Sequence, residues 1–206
     1  HLLEFISWTS NRQSGAAGIA NALMWLFWFW KNDVEVGHYL KTPEYYRDQC
    51  FQKFCFDLNM PYLRIAQAAY TNVSIYDRTY CMEMFGGFVY PDGKMFVDYI
   101  DEFIDFQKAF MNKVSELREE NVFTYPVLTY CLVFRDGKFQ DEEFAKWCST
   151  HNMKWADSNF LISPDTTSAA SCCRLLSDTS KLTGVMNSIG GSSLDIGSVS
   201  VITLNL

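Results

Sequence analysis

The sequence predicts an α/β fold with a largely parallel sheet, and three observations predict it. Apolar residues Phe96, Ile100, Phe103, Phe110, Val114 and Leu117 recur at three- and four-residue steps with charges between them, the period of a helix packed on one side. Val127 to Phe134 is a continuous β-favouring run, as in a strand buried on both faces. Such runs alternate with helical stretches through the second half of the chain, the pattern of βα units.

Taken in order, Leu2 to Trp8 reads as a short strand. A polar turn, Asn11-Arg12-Gln13-Ser14-Gly15, then feeds a helix from about Ala16 to Lys31. Its apolar run from Ala20 to Trp30 is about half the ~20 residues that a membrane span needs, so a buried helix is expected. Thr42 suits an N-cap, with Pro43 at the first helical position and Glu44 behind it. That helix runs to about Leu58, and Pro61 closes it. Gln67 to Ser74 reads as a loop of small and polar residues. A short helix spans Tyr76 to Phe85 and stops at Gly86-Gly87, and Pro91-Asp92-Gly93 is a turn. The long helix covers about Met95 to Glu120. After the strand Val127 to Phe134, Asp136-Gly137 turns the chain into a helix from Asp141 to Cys148, whose acidic start suits the helix dipole. Strands follow at Trp155 to Ile162 and at Gly197 to Leu206, the latter after a Gly/Ser-rich loop at Ser188 to Ser193. No internal repeat or interdomain linker interrupts the series.

Composition excludes several function classes. The chain has 206 residues, 49% hydrophobic and 20% charged, with a formal net charge of -7. That is ample material for one core. No basic patch is present, which argues against a nucleic-acid partner but not against nucleotides, since a few backbone N–H groups can hold those. Seven cysteines, an odd number, fit no disulfide framework, and without a Cys-x-x-Cys pair no zinc site is expected in this segment. Reduced thiols in a cytoplasmic setting are expected. No signal peptide precedes the first element. The chain starts at His1 inside one apolar run and stops at Leu206 inside another, so both ends read as cut.

Few residues stand out as chemical groups. Ser171-Cys172-Cys173-Arg174-Leu175 follows a stretch of small residues, Thr166 to Ala170, so the paired thiols are expected at a loop tip. Packing, metal binding and a reactive thiol beside Arg174 are all open readings. His38 reads as a solvated loop residue, and His151 as a residue after a helix end serving the negative end of the dipole. Ser14-Gly15-Ala16-Ala17-Gly18 either presents N–H groups to a phosphate or makes a tight helix start; it lacks the lysine of a P-loop. Asp141, Glu142, Glu143, Glu116, Glu119 and Glu120 read as solvated faces rather than a general acid/base pair.

Several short segments taken together resemble a known family. They are Ser10-Asn11-Arg12-Gln13-Ser14-Gly15-Ala16, Thr71-Asn72-Val73-Ser74, Gln107-Lys108-Ala109-Phe110 and Phe123-Thr124-Tyr125-Pro126-Val127-Leu128-Thr129. Asn159, Cys172-Cys173-Arg174-Leu175 and Thr203-Leu204-Asn205-Leu206 behind Gly197-Ser198 complete the series. This order is similar to the central part of the anaerobic, class III ribonucleoside-triphosphate reductases, over essentially the whole chain. The resemblance implies part of a ten-stranded α/β barrel with a central finger loop, so residues 1–206 would be one internal segment. The regulatory cone would precede it and the glycyl-radical region would follow, so the segment alone would be inactive.

The resemblance further implies that Cys173 becomes a thiyl radical, generated by the distant glycyl radical, and removes the ribose 3′ hydrogen. Cys172 has no separate role. Asn72, Ser14 and Ser198 would lie at the substrate. Zinc and the glycyl radical belong outside the segment. Formate-using members place an asparagine where this chain has Ser198, which leaves formate and a redoxin as competing reductants. Implied partners are a ribonucleoside triphosphate, allosteric ATP, dATP or other dNTP, a radical-SAM activating enzyme and a second subunit, with no nucleic acid and no membrane. Two alternatives stand beside this reading: another glycyl-radical enzyme of the same barrel, formate acetyltransferase-like, and a non-catalytic α/β interaction domain.

Overall fold

A computed structural model describes residues 2–12, 17–18, 20–60, 68–170 and 176–178, the last three of these together with 17–18 and 168–170 for the backbone only. The elements are α1 (Leu2–Ser10), β1 (Ala17–Gly18), α2 (Ala22–Glu35), α3 (Pro43–Leu58), β2 (Thr71–Tyr76), α4 (Arg78–Phe85), α5 (Ile100–Glu120), β3 (Val127–Arg135), β4 (Lys138–Phe139), α6 (Glu142–Trp155), β5 (Ser158–Ser163), β6 (Ser168–Ala170) and β7 (Leu176–Asp178). A 3-10 turn, Phe96–Tyr99, leads into α5.

Strands β1, β2, β3 and β5 lie side by side in chain order and all run parallel. β4 folds back on the end of β3 through a two-residue turn, Asp136-Gly137. Both turn residues take positive φ, 52° and 77°, the backbone that matches strand twist and that glycine adopts without steric cost.

The expected α/β class holds, and the elements with the strongest local signals sit where the sequence puts them. Thr42 caps α3 by accepting from the Tyr45 N–H, with Pro43 at the first position. α5 buries a broad face, and β3 is buried along most of its length, as a strand covered on both sides must be.

Other expectations are corrected. Leu2–Ser10 is a helix, not a strand: Ile6 and Ser10, one turn apart, are buried together, and the Ser10 hydroxyl donates to the Ile6 carbonyl. A short apolar run carries no period that separates the two. The helix expected from Ala16 starts at Ala22 and continues to Glu35, because Ala17–Gly18 is spent pairing with Thr71 and Asn72. Thr71–Ser74 belong to strand β2, not a loop; pairing with strands on both sides overrides the weak strand preference of Asn and Ser. Tyr76 ends that strand, and Asp77 caps α4 by accepting from the Tyr80 N–H. α6 continues seven residues past Cys148 to Trp155, which delays β5 to Ser158. The last strand, Gly197 to Leu206, and the loop before it lie outside the described residues.

The core is aromatic. Phe106 of α5 packs edge-on against Phe27 of α2 and Phe51 of α3, with ring centroids 5.5 and 5.0 Å away. The other side of α5 meets the sheet. Gln107 there binds both backbone groups of Tyr76, accepting from its N–H at 2.8 Å and donating to its carbonyl at 2.9 Å. It thereby supplies the partners that a neighbouring strand would. α5 and α6 lie side by side, with the Lys108 ammonium over the Trp147 ring. α6 covers the sheet through Trp147 and His151, which pack on Tyr130. Among the described residues no helix is long and apolar enough to cross a membrane.

Candidate active site

Side chains of a strand alternate between its two faces, and parallel partners share a face. Tyr130 of β3 points to α6, so Thr129 points away from it. The register aligns Ser74, Thr129 and Asn159 in one row across β2, β3 and β5. Strands about 4.8 Å apart place these two hydroxyls and one amide across about 10 Å of sheet. Asn72 sits one step down the same face and donates from Nδ2 to Thr129 Oγ1 at 3.2 Å. Asn72, Ser74 and Thr129 are buried, and Asn159 is half-buried. The row carries no charge, so it suits a neutral polyhydroxyl group better than a polyanion.

The starts of the strands are clamped from behind. Arg118 of α5 donates to Asp157 Oδ2 at 3.1 Å and also to the Pro126 carbonyl. Ser115 donates to the same Asp157 oxygen at 2.9 Å. One side chain thus ties the residue before β3, Pro126, three positions before Thr129, to the residue before β5, Asp157, two positions before Asn159. Asn59 ends α3 and holds the approaching chain: its Oδ1 accepts from the Thr124 and Tyr125 N–H groups, both at 3.1 Å, and its Nδ2 donates to the Tyr125 carbonyl at 2.6 Å.

At the far end of the strands, buried Asp77 accepts from Tyr80 N at 2.8 Å and from Val133 N at 2.7 Å. Burial pushes its carboxyl up, and the two N–H bonds oppose that rise. Burial drives Cys55 up to about 12 and also raises Cys81 and Cys148, so none of these three is a thiolate at neutral pH. His151 is corrected: it lies inside α6, buried, hydrogen-bonded through Nδ1 to the Tyr130 hydroxyl at 2.8 Å. His38 is exposed after α2, and Glu116, Glu119, Glu120, Glu142 and Glu143 are exposed, all as expected. Asp141 is instead an N-cap for α6, accepting from the Phe144 and Arg78 N–H groups.

Of the four residues singled out for the site, Asn72 alone is described. Cys173, Ser198 and Ser14 lie outside the described residues, as does Cys172. Their surroundings are partly drawn. Ala17, three residues after Ser14, pairs with Thr71 beside Asn72. β6 and β7 form an antiparallel hairpin, Ser168 with Asp178 and Ala170 with Leu176, whose connecting residues 171–175 contain both cysteines. β6 approaches β3, the strand that bears Thr129. Sequence reasoning gave no role to Ser74, Thr129 and Asn159. Polar residues at every second position, Asn72 and Ser74, were the available signal, hidden by reading that segment as a loop.

Fold and face together define a class: an α/β protein with α5 and α6 on one side of a parallel sheet and an uncharged polar row on the other. The chain belongs to the anaerobic ribonucleoside-triphosphate reductase family, whose model matches residues 1–206. Solved structures of the Thermotoga maritima anaerobic ribonucleotide reductase resemble it. The one in complex with dATP and CTP is 41% identical, with a TM-score of 0.79, and the match covers 96% of this chain and 32% of that one. The one with citrate in the active site is 38% identical, with a TM-score of 0.77, covering 84% and 31%. A further structure, an anaerobic ribonucleotide reductase, is 39% identical at TM-score 0.79, covering 96% and 30%. The chain thus spans about a third of the length of these structures. Among curated proteins, none matches the chain.

Proposed function

We propose that this chain is part of the catalytic barrel of an anaerobic ribonucleotide reductase, with its uncharged polar row facing the ribose of a ribonucleoside triphosphate. The observation that carries this is the family match over residues 1–206. A sheet with consecutive strands parallel and both crossover helices, α5 and α6, on one side is the arrangement of a barrel wall, and it supports membership in the ten-stranded barrel. The hairpin of β6 and β7, with the Cys172-Cys173 pair between its strands, supports the finger-loop reading.

In this reading Cys173 is the group that exchanges a hydrogen atom with the ribose C3′. The glycyl radical outside the segment supplies the oxidising equivalent. Abstraction of the 3′ hydrogen turns the Cys173 thiyl into a thiol, water leaves from C2′, and the reductant, formate or a redoxin, provides the electrons. Asn72, Ser198 and Ser14 hold the sugar. The reading places the zinc, like the glycyl radical, outside this segment. Allosteric ATP or dATP, a radical-SAM activating enzyme, a homodimer and a cytoplasmic setting complete the proposal; the dATP and CTP bound to the Thermotoga maritima relative support the nucleotide partners.

The test uses the full-length, activated enzyme with Cys173→Ala and Cys172→Ala made separately. Cys173→Ala should retain the glycyl-radical spin signal and form no deoxynucleotide, whereas Cys172→Ala should keep measurable turnover. Normal turnover by Cys173→Ala would sink the assignment.

A further inference from the structure

Tyr76 poses a problem that the fold alone does not solve. It is the last residue of β2 and shares its face with Asn72 and Ser74. Its side chain is 1% exposed, and the ring is fixed by Tyr80 and Phe85 of α4, with centroids 5.5 and 5.2 Å away. The hydroxyl, however, is buried and has no partner in full hydrogen-bond geometry among the described residues. The Ser74 hydroxyl lies close enough to oppose the rise that burial causes, but outside full hydrogen-bond geometry. A buried donor left unmade costs stability, and a phenylalanine would fill the same space without that cost. The two other buried tyrosines on these strands and turns differ: the Tyr130 hydroxyl bonds His151 and the Tyr90 hydroxyl donates to the Met24 carbonyl.

We infer that the Tyr76 hydroxyl is a substrate-binding donor of the polar face, held in place to hydrogen-bond a hydroxyl of the bound ribose. The inference rests on the reading of that face as the substrate side. A neutral sugar oxygen is favoured over a phosphate because Asn72, Ser74, Thr129 and Asn159 are uncharged, and no Lys or Arg stands in the row. Burial drives the Tyr76 phenol well above its ordinary range, so it stays protonated and able to donate at any physiological pH.

The experiment is Tyr76→Phe in the full-length, activated enzyme, with stability and kinetics read together. The thermal midpoint should rise by about 1–4 °C, since an unmade buried donor is removed. KM for the ribonucleotide should rise about three- to tenfold, the worth of one neutral hydrogen bond, with the glycyl-radical spin signal unchanged. A hydroxyl that merely holds a buried water would leave KM within about twofold, and that result overturns the assignment. A fall in the thermal midpoint would overturn it too, because it would mean that the hydroxyl already has a stabilising partner in the protein. Thr129→Val and Asn159→Ala separate the two levels of the claim. If both leave KM unchanged, the reading of the face fails; if they raise it and Tyr76→Phe does not, the Tyr76 role alone fails.

Discussion

His151 carries two lessons at the residue scale. It is buried, and its Nε2 has no hydrogen-bond partner among the described residues, so a charged imidazolium would hold an unpaired N–H in the core. Burial chiefly, with Lys154 adding to it and Asp157 opposing it, keeps its pKa below the ordinary 6.5. The unfolded chain therefore takes up a proton before the folded one does. The stability that His151 contributes is complete above pH 6.5 and is lost as pH falls through the depressed native value. Denaturant unfolding between pH 7 and pH 5 should show this loss, at no more than about 1.4 kcal/mol per pH unit, and His151→Gln should remove that part of the slope. An unchanged slope in the variant would assign the acid sensitivity to other groups. The dipole role that the sequence suggested depended on a helix end at Cys148, and the helix continues past it. By contrast, Asn72 was legible as a site residue only through its neighbours in a family-like segment, because nothing in Thr71-Asn72-Val73-Ser74 by itself says which face of a sheet it occupies.

Elements were legible in proportion to how much of their signal is local. Thr42-Pro43-Glu44 and Asp136-Gly137 carry their own chemistry, an N-cap and a hairpin turn, and both sit where the sequence places them. α5 repeats its period over 21 residues and is equally plain. The clamp formed by Arg118, Ser115 and Asp157 was invisible because its members are 42 and 39 residues apart in sequence. Their side chains are mostly buried, with 15% of Arg118 and 13% of Asp157 exposed. Arg118→Leu strands the Asp157 charge and the Pro126 carbonyl, and should cost about 2–4 kcal/mol in unfolding free energy. A loss under about 0.5 kcal/mol would show that Ser115 and Ser158, whose hydroxyls both donate to the Asp157 carboxylate, satisfy it without the arginine.

On the scale of the whole molecule, one aromatic layer joins α2, α3 and α5, and Phe106 is at its centre with Phe27, Trp30 and Phe51 around it. Phe106→Ala should lower stability by about 3–5 kcal/mol, measured by denaturant unfolding, because three helices would have to collapse together to fill the space. A loss near 1 kcal/mol would mean that the layer repacks freely. By itself the sequence determined the α/β class, the long helix, the buried strand and the turns, since each rests on a period or on a turn residue acting within a few positions of chain. It also carried the family, through short segments kept in order. Only the tertiary structure decided that Leu2–Ser10 is a helix and that Thr71–Ser74 is a strand. It alone aligned Ser74, Thr129 and Asn159 in a single row and left the Tyr76 hydroxyl unpaired beneath α4. The physical reason is the same in each case: pairing and burial are set by partners distant in the chain, and a short segment of mixed polarity holds no record of them.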